Sequence, residues 1–167
     1  MRIREATVAD AAAVIDFFQQ LYAESRFMLF EPGESVPTLS EQEQRIGRAT
    51  AMDSGTMLLC EAEHQIIGAC FGTRGIAKRS RHSLYIVLGV LQAWSGQGVG
   101  RLLMQQMERW AREHQLHRLE LMVQADNQRA IGLYEKLGFQ REGLTVHSLY
   151  IEGRYVDELS MAKLLEA

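Results

Sequence analysis

Apolar positions recur along this chain with two periods, one of 3.6 residues and one of 2. Val14, Ile15, Phe18, Leu21 and Tyr22 follow the helical period and predict a helix over residues 8 to about 23. Thr7, with Asp10 three residues on, forms a weak capping box at its start. Residues 2–5 alternate and read as a short strand before it. Ser40-Glu41-Gln42-Glu43 is a second capping box, opening a helix that runs to about Asp53. Residues 57–63 and 66–74 read as two strands of a hairpin that turns at Glu63-His64-Gln65. Residues 84–90 (LYIVLGV) are almost continuously apolar, the pattern of a central strand covered on both faces. Val99, Leu102, Leu103, Gln106, Met107 and Trp110 make one stripe on a helix from 98 to about 114. A further apolar strand covers 119–123, and a helix over 127–137 closes at Gly138. Residues 139–150 and 155–163 form a last hairpin around Glu152-Gly153.

The order is β-α-α-β-β-β-α-β-α-β-β. Strand–helix–strand occurs once, around Gly98, and predicts one parallel pair. Hairpins make the rest antiparallel. The expected fold class is therefore α/β (α+β), a mixed and mostly antiparallel sheet of about seven strands with helices on its faces. A length of 167 residues suits a single domain, 1–167.

Composition narrows the function classes. A net charge of −3 argues against an electrostatic grip on nucleic acid. No apolar run approaches the length of about 18 residues that spans a membrane, and the first residues lack the apolar core of a signal peptide. The expected location is cytoplasmic, where Cys60 and Cys70 stay reduced and serve as small core residues facing each other across their hairpin. Four of the histidines, His64, His114, His117 and His147, have no metal-ligand spacing, so no metal is expected.

The chemistry concentrates between the most apolar strand and the most amphipathic helix. Trp94-Ser95-Gly96-Gln97-Gly98-Val99-Gly100-Arg101 carries glycine at every second position from Gly96. Glycine at a helix start costs about 0.5–1 kcal/mol relative to alanine, but it lets a ligand approach the backbone. Free amides at a helix head carry partial positive charge and make an anion site for a phosphate or pyrophosphate. A P-loop reading fails because no lysine lies between Lys78 and Lys136. A dinucleotide fingerprint fails as well: counted from Gly96 its last glycine would be Arg101, and from Gly98 it would be Leu103.

The glycine segment resembles motif A of the GCN5-related N-acetyltransferase (GNAT) superfamily, [RQ]-x-x-G-x-[GA], entered from a strand ending Leu88-Gly89-Val90. A second block, Asn127-Gln128-Arg129-Ala130-Ile131-Gly132-Leu133-Tyr134-Glu135-Lys136-Leu137-Gly138-Phe139, resembles the family's N-x-x-A-x-x-x-Y-x-x-x-G-F segment. The chain departs from motif A at its first position, where Ser95 stands in place of arginine or glutamine and brings no charge.

The resemblance implies the acyl-CoA N-acyltransferase fold, with a splayed central parallel pair, and acetyl transfer from acetyl-CoA to a primary amine in a ternary complex. It also implies roles. Leu88, Gly89 and Val90 meet the pantetheine arm and the acetyl carbonyl. Ser95, Gly96, Gln97, Gly98, Val99, Gly100 and Arg101 hold the pyrophosphate. Asn127 bonds a pantetheine amide, and Tyr134, two helical turns on, is the acid that protonates the departing thiolate. Candidates for a base are Tyr85, His82, Glu31 and Glu34. The loop over 27–37 and the hairpin around Glu152-Gly153, with Tyr150 and Tyr155 at the rim, are expected to shape the acceptor pocket. Residues 78–82 are a basic run read as a solvated loop. The resemblance also implies a homodimer. The competing function is a catalytically silent regulatory module that keeps the acetyl-CoA site.

Overall fold

A computed structural model describes residues 1–51 and 54–166. Strand β1 (Arg2–Glu5) leads through a single 3-10 turn into α1 (Ala11–Glu24). The Thr7 N–H donates to Asp10 Oδ2 at 2.7 Å, so the expected cap is present. Asp10 also accepts two hydrogen bonds from the Arg4 guanidinium, at 2.8 and 2.7 Å. Helix α2 (Leu39–Ala51) begins earlier than the sequence suggested. Its cap pairs Thr38 with Glu41, with bonds of 2.7 Å from the Thr38 N–H and 3.2 Å from the Glu41 N–H. Ser40 is already helical, so the box sits two residues upstream of the expected one. The expected helix end, Asp53, lies outside the described residues.

Strands β2 (Gly55–Ala62) and β3 (Gln65–Arg74) form the hairpin, turning on Glu63 and His64, both with positive φ. Cys60 lies opposite Gly68 and Cys70 opposite Leu58, so the two thiols are not cross-strand partners as expected. Both are free and buried. The two-residue turn sets a register that offsets them along the ladder.

Strand β4 (Ser83–Val90) leads through a second 3-10 turn to α3 (Val99–Glu113) and β5 (Arg118–Gln124). Helix α4 (Gln128–Lys136) precedes β6 (Gln140–Ile151) and β7 (Arg154–Leu164). The sheet order is β1-β2-β3-β4-β5-β7-β6, with β4 and β5 the one parallel pair among the described strands. This is the mixed α/β fold that the element order predicts. Helices α1 and α2 cover one face over Met57, Leu59, Ile66 and Ala69. Helices α3 and α4 cover the other over Leu58, Cys60, Ile67 and Cys70. No helix among the described residues is long and apolar enough to cross a membrane.

Two packing details place the site. The buried stripe of α3 is Val99, Leu103, Met104, Met107, Trp110 and Ala111, while Leu102 is exposed. The stripe is rotated from the expected one, because Met104 and Ala111 turn toward the sheet. Gly68 lets the head of α3 sit close to β3: a Cβ there would lie 2.9 Å from Val99 Cγ1 and 3.0 Å from Leu103 Cδ1. Strand β4 also departs from expectation. Leu84 and Ile86 are buried against α3, but Tyr85 and Val87 on the other face are 40% and 38% exposed. That face is open because α1 and α2 pack over β2 and β3, and no β4 residue joins their core cluster.

Candidate functional site

The β4–β5 ladder is short. It joins Ser83 to Arg118, Leu84 to Leu119 and Tyr85 to Glu120, and then stops. Beyond it, β4 stays paired with β3 as far as Val90, opposite Gly68. Likewise β5 stays paired with β7 as far as Gln124, opposite Glu158. The two strands therefore splay, and the backbone groups of residues 86–90 that face β5 have no ladder partner on that side. Unpaired backbone groups are costly when buried, so an edge of this kind suits a ligand that carries amides.

A cleft of about 1270 Å³ opens along the splay. Leu88, Gly89, Val90, Ser95, Gly96 and Gly98 line it, as do Val99, Gly100, Arg101, Asn127 and Tyr134. Gln97 does not: its Nε2 turns back to donate to the Ala93 carbonyl at 2.9 Å.

The glycine loop forms one end of the cleft. Gly96 and Gly98 have φ of +81° and +85°, and Gly98 is the residue from which α3 starts. The N–H groups of residues 96–101 have no acceptor among the described residues. Six consecutive free amides at the head of a 15-residue helix suit a pyrophosphate.

Helix α4 lines the wall beside this loop, where a Cβ on Gly100 would lie 3.1 Å from Leu133 Cδ2. The Asn127 side-chain carbonyl accepts the Ala130 N–H at 3.2 Å and caps the helix. Its amide nitrogen is left as the group able to donate into the cleft. Tyr134 is 7% exposed, with its ring centroid 5.8 Å from that of Phe139. Burial pushes the phenol pKa well above its ordinary value, and Cys70 and Tyr85 push in the same direction. Tyr134 thus holds its proton at neutral and moderately alkaline pH.

The proposed bases divide. Tyr85 lines the cleft, and burial and the charge of Glu158 raise its pKa. His82 does not line it and lies just before β4, at the end away from the splay. Its carbonyl accepts the His117 and Arg118 N–H groups at 2.9 and 3.1 Å. Glu31 and Glu34 stay in their own loop, where Glu34 Oε2 accepts the Glu31 N–H at 2.9 Å. The basic run at 78–82 lies in the β3–β4 connection, away from the cleft lining.

Several lining residues escaped the sequence reading. Glu158 on β7 reaches the cleft with no hydrogen-bond or ion-pair partner among the described residues. Gln124 is buried, and its Nε2 donates to the Arg26 carbonyl at 3.2 Å, tying the loop after α1 to the end of β5. Of the loop over 27–37 only Phe27, Met28 and Leu29 line the cleft, and Tyr150 and Tyr155 do not. Leu149 lines it instead, one residue back along β6 from Tyr150. No sequence signal marks Glu158, because its approach depends on the β5–β7 register.

Comparisons with known proteins agree with this geometry. The model of the Acetyltransferase (GNAT) family matches residues 15–139. An acetyltransferase of Pectobacterium atrosepticum is 28% identical over 141 residues, covering 84% of this chain and 97% of the relative. The crystal structure of a GNAT-family acetyltransferase from Streptococcus pneumoniae superimposes with a TM-score of 0.95 at 31% identity, covering 99% of each chain. The structure of yncA from Salmonella typhimurium with its cofactor acetyl-CoA shares the fold, with a TM-score of 0.87 at 20% identity over 100% of this chain and 95% of that one. The chain belongs to the acetyltransferase (GNAT) family and is an acetyltransferase that uses acetyl-CoA as its cosubstrate.

Proposed function

We propose that this protein acts as one domain, residues 1–167, that moves an acetyl group from acetyl-CoA to a primary amine of a small molecule or peptide by direct attack in a ternary complex. The observation that carries the reading is Tyr134, a buried phenol on the wall of a cleft whose far end is a row of free amides. Bound acetyl-CoA supplies an activated acetyl thioester. The amides of residues 96–101 hold its pyrophosphate, with the Ser95 hydroxyl beside them. The open edge of β4 at Leu88, Gly89 and Val90 takes the pantetheine amides and polarises the acetyl carbonyl. The Asn127 amide adds a further donor.

The amine enters past Phe27, Met28 and Leu29. An amine resembling lysine is neutral in only about one molecule in 2,500 at pH 7. Glu158, unpaired beside Tyr85, takes the proton through water. The nitrogen then forms the C–N bond, the C–S bond breaks, and the leaving thiolate takes the Tyr134 proton, while the second proton of the attacking nitrogen passes through water to restore the phenol. The scheme needs no metal.

The enzyme is proposed to work in the cytoplasm, where the buried thiols of Cys60 and Cys70 would stay reduced. A homodimer is supported by β6, an edge strand with Leu144 and Val146 exposed at 53% and 64%. No nucleic acid or membrane takes part.

The test is a calorimetric titration with acetyl-CoA, with ATP as the control, followed by a screen of amines for thiol release. Acetyl-CoA binding without ATP binding, together with amine-dependent thiol release, is the expected outcome. Failure to bind acetyl-CoA at millimolar concentration overturns the reading. Binding without release from any amine points to the silent regulatory module.

A further inference from the structure

Motif A in this chain lacks its usual cation, since Ser95 stands where arginine or glutamine is typical. A guanidinium from elsewhere in the chain occupies that neighbourhood. A Cβ built on Gly96 would lie 2.5 Å from Arg129 Nη2 and 3.8 Å from its Cζ. The side chain of Arg129 therefore packs directly over the turn of the glycine loop, across a gap of 33 positions in sequence. Arg129 is the second residue of α4, in the turn capped by Asn127, and it lines the same cleft.

Three features identify the partner of this group. Arg129 has no hydrogen-bond or ion-pair partner among the described residues, whereas Arg4, Arg26, Arg112, Arg118 and Arg141 each hold a carboxylate. The loop beneath it presents free amides, so the guanidinium faces a row of donors that cannot accept its N–H groups. A cation at the partially positive head of a helix is unfavourable unless an anion lies between them. The position is thus set for a ligand of acceptor oxygens and negative charge, for which a planar guanidinium is well suited.

We propose that Arg129 is the cationic ligand of the acetyl-CoA pyrophosphate and replaces in space the charge that Ser95 lacks in sequence. The proposal rests on the reading of the cleft as the acetyl-CoA site. It also gives Gly96 a second role, because any side chain there would displace the guanidinium.

The experiment measures Kd by calorimetry for acetyl-CoA, acetyl-3′-dephospho-CoA and S-acetylpantetheine, the last lacking the pyrophosphate. Wild type, Arg129→Ala, Arg129→Lys and the double variant Ser95→Arg/Arg129→Ala are compared. Arg129→Ala is expected to weaken acetyl-CoA and its dephospho form alike, by about ten- to a hundredfold. It should leave S-acetylpantetheine unchanged and the Tm of the free protein no lower. Arg129→Lys should recover part of the loss, and Ser95→Arg should recover affinity in the double variant.

A Kd for acetyl-CoA within twofold of wild type in Arg129→Ala overturns the proposal. An equal loss with S-acetylpantetheine overturns it too, by showing that the arginine supports the fold. A loss confined to acetyl-CoA, absent from the dephospho form, assigns the arginine to the 3′-phosphate and overturns it as well. Failure of the wild type to bind acetyl-CoA is a different result, since it removes the cleft reading itself.

Discussion

Tyr85 and Glu120 are the last pair in register between β4 and β5, and the cleft begins where their ladder ends. Each strand keeps its outer partner beyond that point, β4 with β3 and β5 with β7. The opening is thus built into a sheet that is continuous on both sides. Beside the opening, Tyr85 and Val87 are exposed on a strand whose other face is buried.

The position of Tyr134 leads to a kinetic prediction. Tyr134→Phe keeps the ring packed beside Phe139 and removes the hydroxyl alone. Turnover should fall about a hundredfold, within the usual range for a lost general acid. The Kd for acetyl-CoA should stay within twofold. Steady-state kinetics paired with calorimetry separates the two effects, and unchanged turnover excludes the acid role.

Glu158 is tested through pH. Glu158→Gln should lower kcat/KM about tenfold at pH 7, with the deficit shrinking as pH approaches the amine's own pKa. There the amine loses its proton without help. A deficit constant across the profile would mean that Glu158 positions the acceptor and does not take its proton.

Two of the buried acids, Cys70 and Tyr134, weaken the fold at alkaline pH alongside Cys60. Burial raises the pKa of Cys70, and burial first of all raises that of Tyr134. Unfolded, they ionise near pH 8.5 and 10 respectively. Above those values the unfolded chain has released protons that the native state keeps, so stability falls as pH rises. The slope per group is about 1.4 kcal/mol per pH unit. Urea unfolding from pH 7 to 11 should show little dependence on these two groups below pH 8 and a decline that steepens above pH 10. Cys70→Ala should flatten the decline between pH 9 and 10 by about one group's slope. An unaltered slope would show that Cys70 ionises in the native state.

Much of this protein is legible along the chain, because it depends on neighbours in sequence. The 3.6 and 2 periods mark the elements, since amphipathic faces arise from local geometry. Gly96 and Gly98 could be named because a loop at a helix head is a local fact, and Asn127 and Tyr134 because their block resembles a segment of the GNAT family. Their order also implies the parallel β4–β5 pair. Register and direction lie beyond such reasoning. The cap of α2 moved to Thr38 and Glu41, and the stripe of α3 turned toward Met104 and Ala111, each by a residue or two. Cys60 and Cys70 share a hairpin, yet pairing placed them opposite Gly68 and Leu58. Glu158 reaches the cleft only because β7 aligns it with Gln124. Arg129 stood inside a recognised block, but its reach over Gly96 depends on how α4 packs beside α3. The sequence by itself determined the fold class, the glycine loop and the tyrosine; tertiary structure decided the open face of β4, the carboxylate beside Tyr85 and the cation over the loop. The reason is physical: local periodicity says which side of an element is apolar, and only packing between distant elements brings charged side chains together.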